Sequence, residues 1–130
     1  MHLAIITPER TVLDEEGVQQ VILPGEAGET GILPGHIAMV CQLGVGRIRV
    51  ERTEGGPIEL ATSGGFAEVL DDGITILAET AERAEEIDVA RARHARDKAR
   101  EELGKAGVDD AAARGALSRS LNRLRIAGGG

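Results

Sequence analysis

The sequence predicts an α+β chain, an N-terminal β-sandwich over residues 1–81 followed by a C-terminal antiparallel α-helical hairpin over residues 82–130. Three observations predict it. From residue 3 to residue 80, short apolar runs alternate with turn signals at close, even spacing and without a helical period. At Glu79-Thr80 the pattern changes to Ala-rich, charged sequence with apolar residues three and four apart. The charge changes at the same place: residues 1–81 hold 13 acidic and 4 basic side chains, net −9, and residues 82–130 hold 9 acidic and 11 basic, net +2.

The strands read in order. Leu3–Ile6 is a continuous apolar run closed by Pro8. Val12-Leu13 follows and ends in the acidic turn Asp14-Glu15-Glu16-Gly17. Val18–Leu23 ends at Pro24-Gly25, and Ile37–Leu43 ends at Gly44. Val45–Glu51 alternates, with Ile48 and Val50 on one face and Arg47 and Arg49 on the other. Glu54-Gly55-Gly56-Pro57 reads as a turn into Ile58–Ala61, and Ser63-Gly64-Gly65 breaks the chain before Phe66–Leu70. Asp71-Asp72-Gly73 is a hairpin signal, and Ile74–Ala78 closes the series with Ile74, Ile76 and Ala78 on one face. Such a unit is held by inward-facing aliphatic side chains, and a one-residue slip would turn each apolar set outward.

The stretch Gly28–His36 is dense in turn chemistry. Gly28 and Gly31 can take positive φ, and Pro34-Gly35 is the pair a type II turn uses. The expectation is two tight bends around an apolar hook, Ile32-Leu33, with Glu29 and His36 at its ends. It serves either as a corner between strands or as a loop that touches a partner.

Asp88 is placed to cap a first helix running to Leu103, with Gly104 as its C′ residue. Asp109 or Asp110 caps a second, running to about Ile126 before a frayed Gly128–Gly130. The seams expected to meet are Ala92, Ala95, Ala99 and Leu103 against Ala113, Leu117, Leu121 and Leu124. Each alanine buries about one methyl, roughly 0.8 kcal/mol, and Gly115 costs its helix about 1 kcal/mol relative to Ala. The hairpin is therefore expected to be held weakly, able to dock on the sandwich or leave it.

Composition excludes several classes. The core must be aliphatic, since there is no Trp, no Tyr and a single Phe, Phe66. A net charge of −7 with one aromatic residue argues against nucleic-acid binding. Cys41 is the only cysteine, so no intrachain disulfide forms, and it reads as a small buried hydrophobe. No signal peptide and no apolar stretch near 18 residues is present, so a cytoplasmic chain is expected, with membrane association only through a partner. No Walker-type phosphate loop occurs, and Gly44-Val45-Gly46 is too short for a dinucleotide fingerprint. His2, His36 and His94 lack metal spacing, and Ser63 before two glycines reads as a turn rather than a nucleophile. An enzyme with its own active site is thus disfavoured, and no catalytic or metal-binding residue is assigned. Arg119 and Arg123, four apart, share a helix face, and Arg91 lies just past the Asp88 cap. Converging arginines suit a phosphate chain. The competing reading is a solvated charged face with local pairs such as Arg93 with Asp97.

Four blocks resemble a known family. Gly28-Glu-Thr-Gly-Ile-Leu-Pro-Gly-His36, Ser63-Gly-Gly-Phe-Ala-Glu-Val69, Ile74–Ala81, and Ile87-Asp88-x-x-Arg91-Ala92 with Asn122-Arg-Leu-Arg125 are similar, in order and spacing, to the epsilon subunit of the F-type ATP synthase, of bacterial type. The resemblance implies a ten-stranded β-sandwich followed by a helical hairpin. It implies a non-catalytic central-stalk rotor subunit at the cytoplasmic face of the inner membrane, with the gamma subunit and the c-ring as partners of the sandwich. That subunit couples proton flow to ATP synthesis, and its hairpin can extend toward the catalytic alpha/beta head and restrain ATP hydrolysis. By position, Glu29, Gly31 and His36 belong to the loop facing the c-ring. Ile87, Asp88, Arg91 and Ala92 match the motif by which some members bind ATP as a regulatory ligand, Arg119 and Arg123 match its arginine pair, and Glu82 matches its base-contacting acid. No cofactor is required. The sequence runs only a few residues past Arg125, so contacts that longer members make beyond this point are expected to be absent. The alternative is a free-standing ATP-sensing module with no rotor role.

Overall fold

In the computed structural model, which describes residues 1–105 and 110–128, ten strands precede two helices. They are β1 (His2–Ile6), β2 (Thr11–Glu15), β3 (Val18–Gly25), β4 (Gly28–Ile32), β5 (Met39–Leu43), β6 (Gly46–Arg52), β7 (Ile58–Thr62), β8 (Gly65–Leu70), β9 (Gly73–Ala78) and β10 (Ala81–Arg83). A single 3-10 turn, Ala84–Glu86, leads into α1 (Val89–Leu103), and α2 (Ala111–Ala127) follows.

The strands lie on one hydrogen-bonded path, β10-β7-β6-β3-β5-β8-β9-β1-β2, with β4 added to β3. β3 meets β5 through one register pair, Gly25 with Leu43. The path therefore has two five-stranded halves that fold over one another at this point. Val21, Leu23, Ile32, Ile48, Val50 and Leu60 face inward from one half. Leu3, Ile5, Ala67, Val69, Ile74 and Ile76 face inward from the other, and all belong to one buried cluster. Each large aliphatic buried in this way contributes roughly 1.5–3 kcal/mol, which is how a core without aromatic side chains holds. The expected alternation is present in β6 and β9, with Ile48, Val50, Ile74, Ile76 and Ala78 all buried. One pairing has no local signal: β1 runs parallel to β9, from His2 opposite Gly73 to Ile6 opposite Leu77.

The expected loop at Gly28–His36 is corrected in its first half. Gly28–Ile32 is a strand paired antiparallel to β3, from Gly25 opposite Gly28 to Val21 opposite Ile32. Gly31 is accordingly extended, and Ile32 and Leu33 separate, Ile32 fully buried and Leu33 exposed, as strand alternation demands. The second half is the expected type II turn: Gly35 has φ +80°, and the His36 N–H donates to the Leu33 carbonyl at 3.1 Å. The following strand begins at Met39 rather than Ile37, whose side chain is 82% exposed. Cys41, on β5, is half-buried against the core.

Both helix caps form as expected. Asp88 accepts from the Arg91 N–H and Asp110 from the Ala113 N–H, each at 3.0 Å. Gly104 ends α1 in right-handed conformation, φ −75°, with its N–H on the last-turn carbonyls, so it is the C-cap rather than a left-handed C′ residue. The seam of α1 holds at Ala92 and Ala99, both buried. That of α2 is rotated: Ala113, Ser120, Asn122 and Ile126 are buried, and Leu121 is exposed. Helix α2 packs on both α1 and the β6–β7 region, so its buried surface is set by two neighbours rather than by its leucines. Asp97 pairs with the adjacent Arg96 at 3.0 Å, not with Arg93. No helix among the described residues is long and apolar enough to cross a membrane.

Candidate functional site

The hairpin rests on the outer face of the sandwich. Ala61 of β7, Ile87 before α1 and Ile126 of α2 form a second buried cluster, with Ala84 and Ala127 against it. Beside this cluster the buried Asn122 donates its side-chain amide to the Gly46 carbonyl at 2.8 Å and lies 3.5 Å from the Thr62 carbonyl. Its Oδ1 accepts from Arg125 Nη2 at 2.8 Å. Arg123, one residue on, donates to Glu82 of β10 at 2.5 Å, with both side chains about 30% exposed. The linker is braced as well: Glu86 accepts from the Arg83 N–H and from Arg10 Nη2, each at 3.1 Å. Hairpin and sandwich thus share apolar contact, a buried amide and two ion pairs.

These contacts enclose a cleft of about 470 Å³ between the β1–β2 turn, β10, the first turns of α1 and the last part of α2. Of the residues singled out from the sequence, Glu82, Asp88, Arg91, Ala92 and Arg123 line it. Ile87 does not. It is buried in the apolar cluster under the hairpin, where its side chain holds the linker down. Arg119 does not either. It lies beside Ser63, Thr80 and Asn122. There it occupies the space that Gly115 leaves open, since a Cβ at 115 would stand 3.0 Å from Arg119 Nη1. Arg10 and Glu9 of the β1–β2 turn and Glu79 complete the charged wall. Their place in the cleft has no local signal, since it depends on the fold of the sandwich. Asn122 could have been suspected, because Asn is disfavoured inside helices unless it has a partner.

The cleft carries both signs of charge. Arg10 and Arg123 hold Glu86 and Glu82, and Asp88 is occupied by its cap. The Arg91 guanidinium has no acidic partner among the described residues. An anionic ligand would meet Arg91 free and would have to compete with Glu82 for Arg123. Among the described residues no three His, Cys, Asp or Glu stand close enough to hold a metal ion.

Two other surfaces stand out. Glu29 and Gly31 are exposed on β4, while His36 sits half-buried past the Pro34-Gly35 turn with Nδ1 2.8 Å from the Ile37 carbonyl. Glu29 and His36 are therefore at opposite ends of the strand. On the sheet half away from the hairpin, Ile6, Leu77 and Phe66 lie side by side across β1, β9 and β8, all exposed. They form an apolar row on an otherwise solvent-facing sheet surface.

The comparisons with known proteins fit both parts of this architecture. Residues 1–84 match the beta-sandwich domain of the ATP synthase Delta/Epsilon chain, and residues 85–128 match its long alpha-helix domain. The chain belongs to the ATP synthase delta/epsilon family. The ATP synthase epsilon chain of Nitratidesulfovibrio vulgaris is 46% identical over 98% of this chain and 96% of its own length. That of Moorella thermoacetica is 45% identical over the same shares. Among solved structures, a chain of the Euglena gracilis mitochondrial ATP synthase, seen by cryo-EM in an OSCP/F1/c-ring assembly, superposes with a TM-score of 0.78. It is 28% identical, with 98% of this chain and 80% of that chain covered. The family is that of a subunit of ATP synthase, and the fold is the one found in its rotary assembly.

Proposed function

We propose that the chain is a non-catalytic rotor subunit of the central stalk of a proton-translocating F-type ATP synthase. It couples proton flow to ATP synthesis and restrains ATP hydrolysis through its hairpin. The observation that carries this reading is the docked hairpin itself: a separate two-helix unit, held over a charged cleft on a sandwich that is complete without it. The sandwich, residues 1–81, serves as the fixed part. Its exposed row Ile6, Leu77 and Phe66 offers the gamma subunit an apolar face, and the β4 edge, with Glu29 at one end and His36 past the other, rests on the c-ring at the cytoplasmic side of the membrane. The two helices that follow β10 are the mobile part. Released, they reach the catalytic alpha/beta head.

ATP serves as a regulatory ligand of the cleft, not as a substrate. Arg91 and Arg123 take the phosphate chain, and Glu82, freed from Arg123, accepts from the base. A ligand that binds only the docked form shifts the population toward it and relieves the restraint. The test is reconstitution of synthase depleted of this subunit in proteoliposomes. The chain is expected to copurify with gamma and to restore ATP-driven proton pumping. A chain that binds Mg-ATP but neither joins gamma nor restores pumping would be a free-standing sensor instead.

A further inference from the structure

A second cleft, of about 480 Å³, lies at the other side of the joint between hairpin and sandwich. Its walls are the β3–β4 hairpin with Glu29, the start of β6 with Arg47, and Arg125 near the end of α2. Pro24, Gly25, Gly28 and Gly46 lie between these walls. A Cβ at Gly46 would lie 2.5 Å from Pro24 Cβ, and one at Gly25 would lie 2.8 Å from the Gly28 carbonyl oxygen. Side chains there would collide with Pro24 and Gly28, so the strands that frame the cleft need glycine at both positions.

The polar groups around it are only partly engaged. Arg125 gives Nη2 to Asn122 and has no acidic partner among the described residues. Arg47 is the weaker of two claimants on Glu59, at 3.6 Å against 2.6 Å for Arg49. Glu29 is exposed and has no ion-pair partner among the described residues. Two guanidiniums beside one carboxylate ask for an occupant that brings an acceptor and a donor together. A simple anion such as chloride or sulfate offers only acceptors. A polypeptide loop with a carboxylate and its own N–H groups offers both.

We propose that Glu29, Arg47 and Arg125 form a composite docking cleft for a carboxylate-bearing loop of the ring on which the sandwich rests. This inference builds on the reading that the Glu29 end faces the c-ring. It adds a contact supplied by the hairpin. Arg125 reaches the cleft only while Asn122 holds α2 on Gly46, so the ring binds the docked form more tightly than the released one. By linkage the ring in turn favours docking. Contact at the ring and release of the hairpin are thereby opposed.

The test uses the catalytic head and central stalk assembled with this chain, titrated onto c-rings in liposomes at fixed ionic strength and separated by flotation. Arg125→Ala is expected to weaken binding about tenfold, and Arg125→Glu further, as for loss and reversal of a charge-assisted contact. Hydrogen exchange of α2, measured on the same complexes, is expected to stay as in the parent. If Glu29→Ala weakens binding and both Arg125 variants bind like the parent, the composite cleft is overturned and the ring-facing reading survives. If none of the three weakens binding, both fall. If weakening follows a loss of α2 protection, Arg125 acts only by holding the hairpin, which also overturns the proposal.

Discussion

Asn122 and Gly46 meet across the joint between hairpin and sandwich, the side-chain amide of one donating to the carbonyl of the other at 2.8 Å, with Asn122 buried. An amide in the middle of a helix is thus satisfied by a strand 76 residues away in sequence. Asn122→Ala removes this buried amide–carbonyl bond, at a cost of about 1–3 kcal/mol. The expected outcome is faster amide exchange throughout α1 and α2 with unchanged protection in β1 to β9. Equal acceleration in both parts would mean that hairpin and sandwich unfold together.

Ile126 is fully buried under the hairpin and Ile76 fully buried in the sandwich. Truncating either to alanine removes about 2–5 kcal/mol of packing. Ile126→Ala is expected to leave the sandwich's urea midpoint near that of the parent, while Ile76→Ala lowers it markedly. A matched fall in both variants would contradict separable units.

Arg91 faces the cleft beside β10 without an acidic partner among the described residues, and Arg119 lies outside it. In calorimetric titration with Mg-ATP, Arg91→Ala is expected to weaken binding about tenfold, as loss of a charge-assisted contact does. Arg119→Ala should change it by less than about twofold. The reverse order would require α2 to rotate when the ligand binds.

Gly65 begins β8 at φ +141°, and a Cβ there would stand 2.2 Å from the Leu77 carbonyl oxygen and 2.8 Å from Ala78 Cα. These are backbone atoms of the paired strand and cannot turn aside. Gly65→Ala is expected to destabilise the sandwich by about 2–4 kcal/mol, read from denaturant unfolding.

His2 Nε2 donates to Asp14 at 2.5 Å, and this hydrogen bond, with the charges of Glu16 and Asp72 nearby, raises its pKa above the ordinary histidine value. A raised folded-state pKa adds stability that is complete below the ordinary value and fades as pH rises through the raised one. An NMR titration is expected to place the His2 midpoint above that of free histidine, and Asp14→Asn to return it. An unchanged midpoint in the variant would remove Asp14 as the cause.

Strand faces and helix caps were legible because they depend on near neighbours. Ile74, Ile76 and Ala78 alternate inward, and Asp88 and Asp110 each find an N–H three residues on. β4 was not, since Gly28-Glu29-Thr30-Gly31 has turn composition and becomes a strand only because β3 pairs with it. The buried side of α2 was misjudged for a related reason. Hydrophobic spacing favours Leu121, but the surface that α2 meets offers carbonyls at Gly46 and Thr62, and Asn122 answers them. The cleft beside β10 followed in part: Glu82, Asp88, Arg91, Ala92 and Arg123 converge. Ile87 and Arg119 share motif or face with them but are drawn elsewhere by packing.

The parallel pairing of β1 with β9 bears on how the chain is made. During synthesis the first strand leaves the ribosome with β2 as its one neighbour, and its other edge stays open until residues 73–78 emerge. The sandwich closes late, by a contact between the start and the far end of its own sequence, the kind of long-range closure that slows folding. Once β9 is in place, every strand from β1 to β9 has its partner while the helices are still being translated. The nascent chain therefore completes the sandwich before it acquires the hairpin.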